Sequence, residues 1–529
     1  MNYDYIVVGA GSAGAIIASR LTEDPDTSVL LLEAGPDYPD LDNLPEELKY
    51  GSYSSTPGPT LRSRGGHPIS LASSVHNWQF VATSTPKAPP MHVPRGKVTG
   101  GSSAINRAGY RRGIPEDYDA WADEGNDLWG YDVVLPFFKV LEGDPDTGSE
   151  SGPVAIRRSH KEDWDAAKEA FYNACLEAGF ADSPVPSEPD STGVGPSSTN
   201  TREGVRYSTA ITHLSQSRHR LNLTIRPNSR VRKVIFDGNK AIGIEVESGG
   251  ETFSVFGRET ILSAGAIVSP QLLMLSGIGP ARHLADVGIP VLHDSPGVGQ
   301  HLKDHPKLYS SWTNKPEASL KASGGVQLRY TATGSPYRND IMINVTSVSG
   351  RRINPATGEH IGKSNSDTGP IGTDLVVGLM RPVSTGSLSL SSADPSDQPL
   401  MDYNFLSDPF DLQRAREAVR LCIRLSEHED FRGVLNERLD PTDADLATDD
   451  ALDEWLMREV GTYSHISGTC KMGPESDPMA VVDQQGRVRG TESLRVVDAS
   501  IMPDLVRAAI NPTVMMMAER LVGLIKSDC

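Results

Sequence analysis

The chain is short of cysteine, of basic charge and of long apolar runs. Its 4 cysteines, Cys175, Cys422, Cys470 and Cys529, are scattered through 529 residues without the paired spacing of zinc or dithiol motifs. They read as reduced thiols, and no metal is expected. Lys and Arg number 50 against 69 Asp and Glu, a net charge of −19, which disfavours nucleic acid or anionic lipid as a partner and suits a small neutral or cationic ligand. No run approaches the roughly 18 apolar residues of a membrane span. The chain opens on Met1-Asn2-Tyr3-Asp4 and runs straight into a strand, without a charged region, apolar segment or cleavage site, so a cytoplasmic location is expected.

What is plentiful is small or turn-forming: 50 Gly and 38 Pro, with 37% apolar and 22% charged residues. That composition is loop-rich but globular, outside the range of disorder or coiled coil. The length allows two to four domains' worth of structure, or one catalytic unit with a second lobe wrapped into it.

The apolar run Tyr3 to Val8 leads into Gly9-Ala-Gly11-Ser12-Ala13-Gly14, a helical stretch Ala15 to Leu21, and a second strand, Val29 to Leu32, ending in Glu33-Ala34-Gly35. This is a strand, glycine turn, helix, strand unit with an acid about two dozen residues after the first glycine, the fingerprint of a dinucleotide site. Gly9 permits the tight turn, Gly11 lets a pyrophosphate approach the helix N-terminus, and Gly14 lets helix and strand pack closely. Glu33 suits a ribose diol and argues against a 2′-phosphate. The unit leaves NAD and FAD both open.

A second glycine segment, Arg95-Gly-Lys97-Val-Thr-Gly100-Gly101-Ser102-Ser103-Ala-Ile-Asn106, offers backbone amides in series to a flat or charged ligand, or is a surface turn. Asp117 to Trp121 and Trp129 to Asp132 read as helix caps and packing. Strands are expected at Leu223–Arg226, Val231–Phe236 and Ala241–Val246, forming a small sheet, then at Thr260–Ala264, with a helix from Ser269. Tyr309–Trp312 and Ile341–Val345 suggest a separate sheet-based lobe, and residues 348–372, rich in Gly, Ser, Asn and Thr, suggest a mobile flap.

Near the C-terminus come His465-Ile-Ser-Gly-Thr-Cys-Lys-Met-Gly473, Asp498-Ala499-Ser500 and Asn511-Pro512-Thr513. A neutral base beside a fixed carboxamide is what abstraction of a hydroxyl proton needs. His465 could instead be a packed histidine or, with Cys470, half of a metal site. Asn511-Pro512 could simply start a helix. His301 and His305 follow a glycine turn and read as structural, while His67, His76 and His92 precede the second glycine segment and are candidates for substrate contact.

With Pro296-Gly-Val-Gly299-Gln-His-Leu302, Asp304-His305 and Leu388 through Pro395 in the same order, the chain resembles the glucose-methanol-choline (GMC) family of FAD-dependent oxidoreductases over nearly its whole length. The resemblance implies a mixed α/β fold: a Rossmann-like FAD-binding domain and a discontinuous substrate-binding domain on an antiparallel sheet with helices. Residues 1–145, 201–306 and 456–529 would form the first, 307–455 the second, and 146–200 a surface excursion contributing to it. Glu33 and Ala34 would hold the adenosine end, with Gly9, Gly11, Ser12, Ala13 and Gly14 at the pyrophosphate. Trp78, Gly100, Gly101, Ser102 and Asn106 would lie along the cofactor, and Val231 would meet the adenine through its backbone. Asp498, Ala499, Asn511, Pro512 and Thr513 would close on the ribityl and flavin.

Some members tether FAD through a histidine in the second glycine segment. Here that stretch reads Ser103-Ala-Ile-Asn106, so noncovalent FAD is expected. By the same resemblance His465 is the base that takes the hydroxyl proton as hydride passes to flavin N5, and Asn511 is its uncharged partner. Tyr463 and Ser464 would border the substrate, Ser464 being small where several relatives carry an aromatic ring. The implied reaction oxidises a small primary alcohol, aromatic, furanic or similar, to an aldehyde, with oxygen or another acceptor taking the electrons. The alternatives are a choline-type dehydrogenase, or a non-oxidising flavoprotein of the same fold such as an oxynitrile lyase or a photodecarboxylase.

Overall fold

Tyr5 to Val8 are buried on both faces, as inner parallel strands are, and Asn2–Val8 (β1) lies in the middle of a seven-stranded sheet. The computed structural model describes residues 2–49, 74–145, 151–184, 191–318, 325–349 and 372–528. β1 runs parallel to Val29–Leu32 (β2), with Leu223–Arg226 (β3) beyond it. On the other flank Ser229–Asp237 (β4) and Lys240–Ser248 (β5) form an antiparallel pair leading to Glu251–Leu262 (β6), and Leu494–Val496 (β7) pairs parallel with β6.

The three strands expected to form a small sheet therefore belong to this large one. The reason is the length of β6: its 12 residues pair with β5 along the first half and with β1 along the second, so the hairpin is carried into the main sheet. β1, β2 and β6 end level, Val8 opposite both Leu32 and Leu262. The crevice outside the carboxyl ends of such strands is where open α/β sheets bind ligands.

Three helices frame that crevice. Gly14–Leu21 (α1) follows the glycine turn, Gly265–Leu275 (α2) follows β6, and Ile510–Ser527 (α3) packs on α1, where Arg20 Nε pairs with Glu519 at 3.0 Å. α2 starts four residues before the expected Ser269. Its cap comes from far along the chain: Asp498 Oδ2 accepts from Gly265 N at 2.8 Å and Ser269 Oγ at 2.6 Å.

A second, antiparallel sheet runs in spatial order Leu435–Asp440, Pro306–Asn314, Gly372–Leu379, Ile341–Ser349, Val326–Tyr330, Gly193–Pro196, with Gly461–Thr462 paired to Pro306–Asn314. Helices Ala166–Glu177 and Pro409–Ser426 pack against it. The mixed α/β architecture read from the sequence is thus what the chain forms. Residues 350–371, the greater part of the expected flap, lie outside the described residues, as does His67.

Candidate functional site

A single cavity of about 660 Å³ begins at the ends of β1 and β6 and reaches the face of the antiparallel sheet. At its first end it is walled by Gly9, Gly11, Ser12, Ala13, Glu33 and Ala34, with Val231 and Trp78 beside them. Gly101, Ser102 and Asn106 continue the wall, and Asp498, Ala499, Asn511, Tyr463, Ser464 and His465 complete it toward the sheet. Gly14, Gly100, Pro512 and Thr513 stand behind this surface. A Cβ on Gly14 would lie 1.9 Å from Gly9 O, and one on Gly101, whose φ is +52°, would lie 2.6 Å from Gly11 Cα. The two glycine segments therefore touch backbone to backbone. Thr513 Oγ1 is 2.9 Å from the Tyr118 hydroxyl, a packing contact.

The first end suits an extended anionic dinucleotide. The first turn of α1 carries no acid, leaving its N-terminal partial charge to an anion. Glu33 Oε1 accepts from Gly35 N at 2.9 Å and Oε2 from Ala10 N at 3.1 Å, while burial pushes its carboxyl up to about 7. Each oxygen keeps a lone pair for a hydroxyl donor. Ser263 Oγ and Arg95 Nη2 are buried against the same cavity without a hydrogen-bond partner among the described residues, and such groups call for one. These residues fit FAD. Trp78, stacked on Phe80 at 5.7 Å with Lys97 and Arg230 over its ring, supplies a flat wall.

Asp498 positions its neighbours: besides capping α2, its Oδ1 accepts from Ser500 N at 2.8 Å and Ser500 Oγ at 2.6 Å. Asn511 opens α3 from within its first turn, and its Oδ1 accepts from Ser12 Oγ at 2.6 Å. Residues 499 positions apart are thereby joined. Asn511 Nδ2 makes a 3.5 Å contact with Met515 Sδ, a weak acceptor that leaves donor capacity for the cavity.

His465 follows Ser464, whose φ of +65° is a strained left-handed conformation for a non-glycine residue. The turn is held by Asp304, whose Oδ1 accepts from His465 N at 2.9 Å and whose Oδ2 accepts from Thr462 Oγ1. Burial lifts the Asp304 carboxyl to about 6. His465 Nδ1 lies 2.8 Å from His305 Nδ1, the rings edge to face with 90° between planes. His305 Nε2 is 3.0 Å from Val506 O. A carbonyl only accepts, so His305 Nε2 carries the proton and its Nδ1 is a lone pair. His465 Nδ1 must then donate, which leaves His465 Nε2 unprotonated. Burial pushes His305 down to about 3, and burial, with the charges of Arg95 and Lys307 nearby, holds His465 well below the ordinary histidine range. Both rings are neutral near pH 7.

The other histidines are elsewhere. His301 Nε2 donates to Pro503 O at 2.8 Å. His76 is buried between the Tyr38 hydroxyl, at 2.7 Å from Nε2, and Glu47, which pairs with Nδ1. Neither these two nor His92 lines the cavity. Cys175, Cys422 and Cys470 are free and buried. His305, which reads as structural in the sequence, contacts His465, and Arg107, Arg111 and Lys307, which carry no motif, line the cavity. Lys307 stands two residues after His305, at the start of the strand Pro306–Asn314.

Two family profiles described as GMC oxidoreductase match the chain, one over residues 3–307 and one over 382–518. An oxygen-dependent choline dehydrogenase of Photobacterium profundum is 34% identical, covering 98% of this chain and 92% of its own. A protein of the same name from Escherichia coli O17:K52:H18 is 35% identical, over 99% and 96%. Among solved structures, pyridoxine 4-oxidase from Mesorbium loti superposes with a TM-score of 0.86 at 30% identity over 99% of both chains. A fungal aryl-alcohol oxidase, at 23% identity and a TM-score of 0.80, covers 100% of this chain and 99% of its own and shares the fold. With profiles over both halves and relatives aligned end to end, the chain belongs to the GMC oxidoreductase family of FAD-dependent enzymes.

Proposed function

We propose that this chain oxidises a small primary alcohol, of the aromatic or furanic kind, to its aldehyde, with His465 as the base. The observation that carries the reading is the His305–His465 contact at 2.8 Å in the cavity that also holds the glycine turn. It fixes the tautomer in which His465 Nε2 is free to take a hydroxyl proton. Asn511, held by Ser12, donates to the substrate oxygen without titrating. Tyr463 stacks on His465, with ring centroids 5.7 Å apart, and confines the alcohol beside it. The small Ser464 leaves room for a bulky alcohol at the same wall.

Gly9, residues 11–14, Glu33, Ala34, Trp78, 100–102, Asn106, Val231 and the 498–499 and 511–513 segments would hold FAD. The chemistry that bound FAD would supply is a two-electron acceptor for the hydride of the carbinol carbon, with oxygen or another acceptor as the final oxidant. The cofactor-binding half would comprise residues 1–145, 201–306 and 456–529, the substrate half 307–455 with part of 146–200. Noncovalent attachment is supported by the absence of histidine from the Gly100–Asn106 segment, and release of yellow cofactor on acid precipitation tests it.

The test of the reaction is anaerobic mixing of the yellow holoenzyme with a panel of primary alcohols, followed by assays for hydrogen peroxide and for dye reduction. Bleaching by at least one alcohol, lost by orders of magnitude in His465→Ala with FAD retained, is expected. Equal bleaching by that variant would sink the assignment.

A further inference from the structure

The end of the cavity away from the glycine turn is lined with cations. Arg111, Arg107 and Lys307 all face it. Arg111 is only 8% exposed, and among the described residues no carboxylate pairs with it. Its neighbour shows the contrast: Arg112 is neutralised by Glu142 in a bidentate pair. The charge that acts on Arg111 is that of Arg329, a second cation. Arg329 itself is balanced by the nearby carboxylates of Asp117 and Glu116, whereas leaving the Arg111 guanidinium buried without an anion is costly.

The antiparallel sheet continues the pattern. Lys307, Gly378, Met342 and Arg329 are successive partners across four strands, so their side chains share one face. Tyr463 fills the gap left by Gly378, where a Cβ would lie 2.7 Å from its ring. Lys307 Nζ lies 5.3 Å from that ring centroid, and the same ring stacks on His465. The positive charge therefore stands one aromatic ring from the base. Asp374 is the acid on this part of the wall.

Lys307 stands on the antiparallel sheet and Arg111 is held toward it, away from the glycine turn that suits a pyrophosphate. Arg111 belongs to a segment tied to the sheet side: Tyr110 N donates to Ser198 O at 3.0 Å, and Gly109 bridges Thr199. The local charge is opposite to the net −19 of the chain and opposite to what a quaternary ammonium alcohol requires.

We propose that the alcohol oxidised here carries an anionic group, a carboxylate, which is received by Arg111 with Lys307 adding its charge beside the base. The proposal rests on the alcohol-oxidising reading above and names its substrate class. A carboxylate on a buried guanidinium makes two parallel charge-assisted hydrogen bonds. A neutral analogue leaves the guanidinium desolvated and unpaired, the arrangement by which polar sites reject ligands that lack the matching group.

The test uses the holoenzyme and three para-substituted benzyl alcohols, bearing a carboxylate, its methyl ester, or a trimethylammonium group. The second-order constant for anaerobic flavin bleaching is expected to favour the carboxylate over the ester by about 10- to 100-fold, with the cation slowest. In Arg111→Met that ratio should collapse toward unity, in Arg111→Lys part of it should survive, and Lys307→Met should lower it to a smaller degree. A wild-type enzyme that treats ester and carboxylate alike, or prefers the cation, overturns the proposal while the alcohol-oxidising reading stands. If none of the three bleaches the flavin, the reading itself fails for this class. Titration with para-toluate, which has no hydroxyl to oxidise, then decides the anion seat: an Arg111-dependent change in the flavin spectrum supports it, and no change overturns it.

Discussion

His305 Nδ1 and His465 Nδ1 face each other at 2.8 Å, and the carbonyl of Val506 on the far side of His305 decides which of them carries the proton. The order of protons along Val506 O, His305 and His465 is fixed by a backbone atom that cannot titrate. With His465 as the proposed base, His305, which does not line the cavity, would act as a positioning residue that aims the lone pair of His465 Nε2. Asp304 serves the same end through the backbone, accepting from the amides of His305 and His465 with one oxygen.

Replacing His305 should therefore impair chemistry more than binding. In His305→Ala the His465 ring loses its acceptor, and the tautomer with Nε2 protonated becomes accessible. The rate of flavin reduction is expected to fall about 10- to 100-fold, with KM little changed. His305→Asn, whose side-chain oxygen can accept from His465 Nδ1, should recover part of it. A loss confined to KM, or none in stopped-flow reduction, would contradict the positioning role.

The same pair makes stability depend on pH. His305 is held near 3 and His465 well below its ordinary value, both chiefly by burial. In the unfolded chain each titrates near 6.5. As pH falls below about 6.5 the unfolded state gains protons that the folded state does not, so folding stability drops by up to about 1.4 kcal/mol per pH unit for each group. Glu33, raised to about 7, works in the opposite direction, because its folded form binds a proton first and loses stability as pH rises between about 4.5 and 7. Comparing His305→Asn with the parent isolates the histidine contribution. The variant's melting temperature is expected to fall less steeply from pH 6.5 to pH 4.5, and parallel curves would refute the linkage.

Much of the cofactor end was legible because its signals are local: a strand, three glycines, a helix and an acid lie within residues 2–35. The substrate end was not, because its side chains converge through tertiary pairing. Val506 reveals its role only when its carbonyl is found against His305. α2 begins at Gly265 because of a carboxylate at position 498. No window along the chain contains either partner pair. Lys307 and Arg111 are hidden in the sequence for a different reason: the net charge of −19 is an average that a cavity need not share.

The bond between Ser12 Oγ and Asn511 Oδ1, 2.6 Å long, should be visible as energetic coupling. Ser12→Ala frees the carboxamide to rotate, so that either its oxygen or its nitrogen can face the cavity, and flavin reduction should slow about tenfold. Asn511→Ala removes the donor outright and should slow it more. In the double variant the serine has nothing left to orient, so its loss should add almost nothing. Full additivity of the two effects on the reduction rate would mean that Ser12 acts on the reaction by some other route.

The contact between the two glycine segments bears on cofactor retention. A Cβ at Gly101 would stand 2.6 Å from Gly11 Cα, in a backbone conformation that already disfavours side chains. Backbone faces backbone there, so neither segment has a flexible side-chain end to yield. Gly101→Ala must either separate the second glycine segment from the first or leave the left-handed region, at a cost of about 1–3 kcal/mol. Because both segments wall the cavity, the separation should be read in flavin content: the ratio of visible to ultraviolet absorbance of the purified variant should fall, and added FAD should restore it only in part. Gly238→Ala is the matched control, since its φ of +59° is also left-handed, nothing lies within 4 Å of its added methyl, and it does not line the cavity. A Gly101→Ala protein with full flavin content would show that this close approach does not shape the cofactor seat.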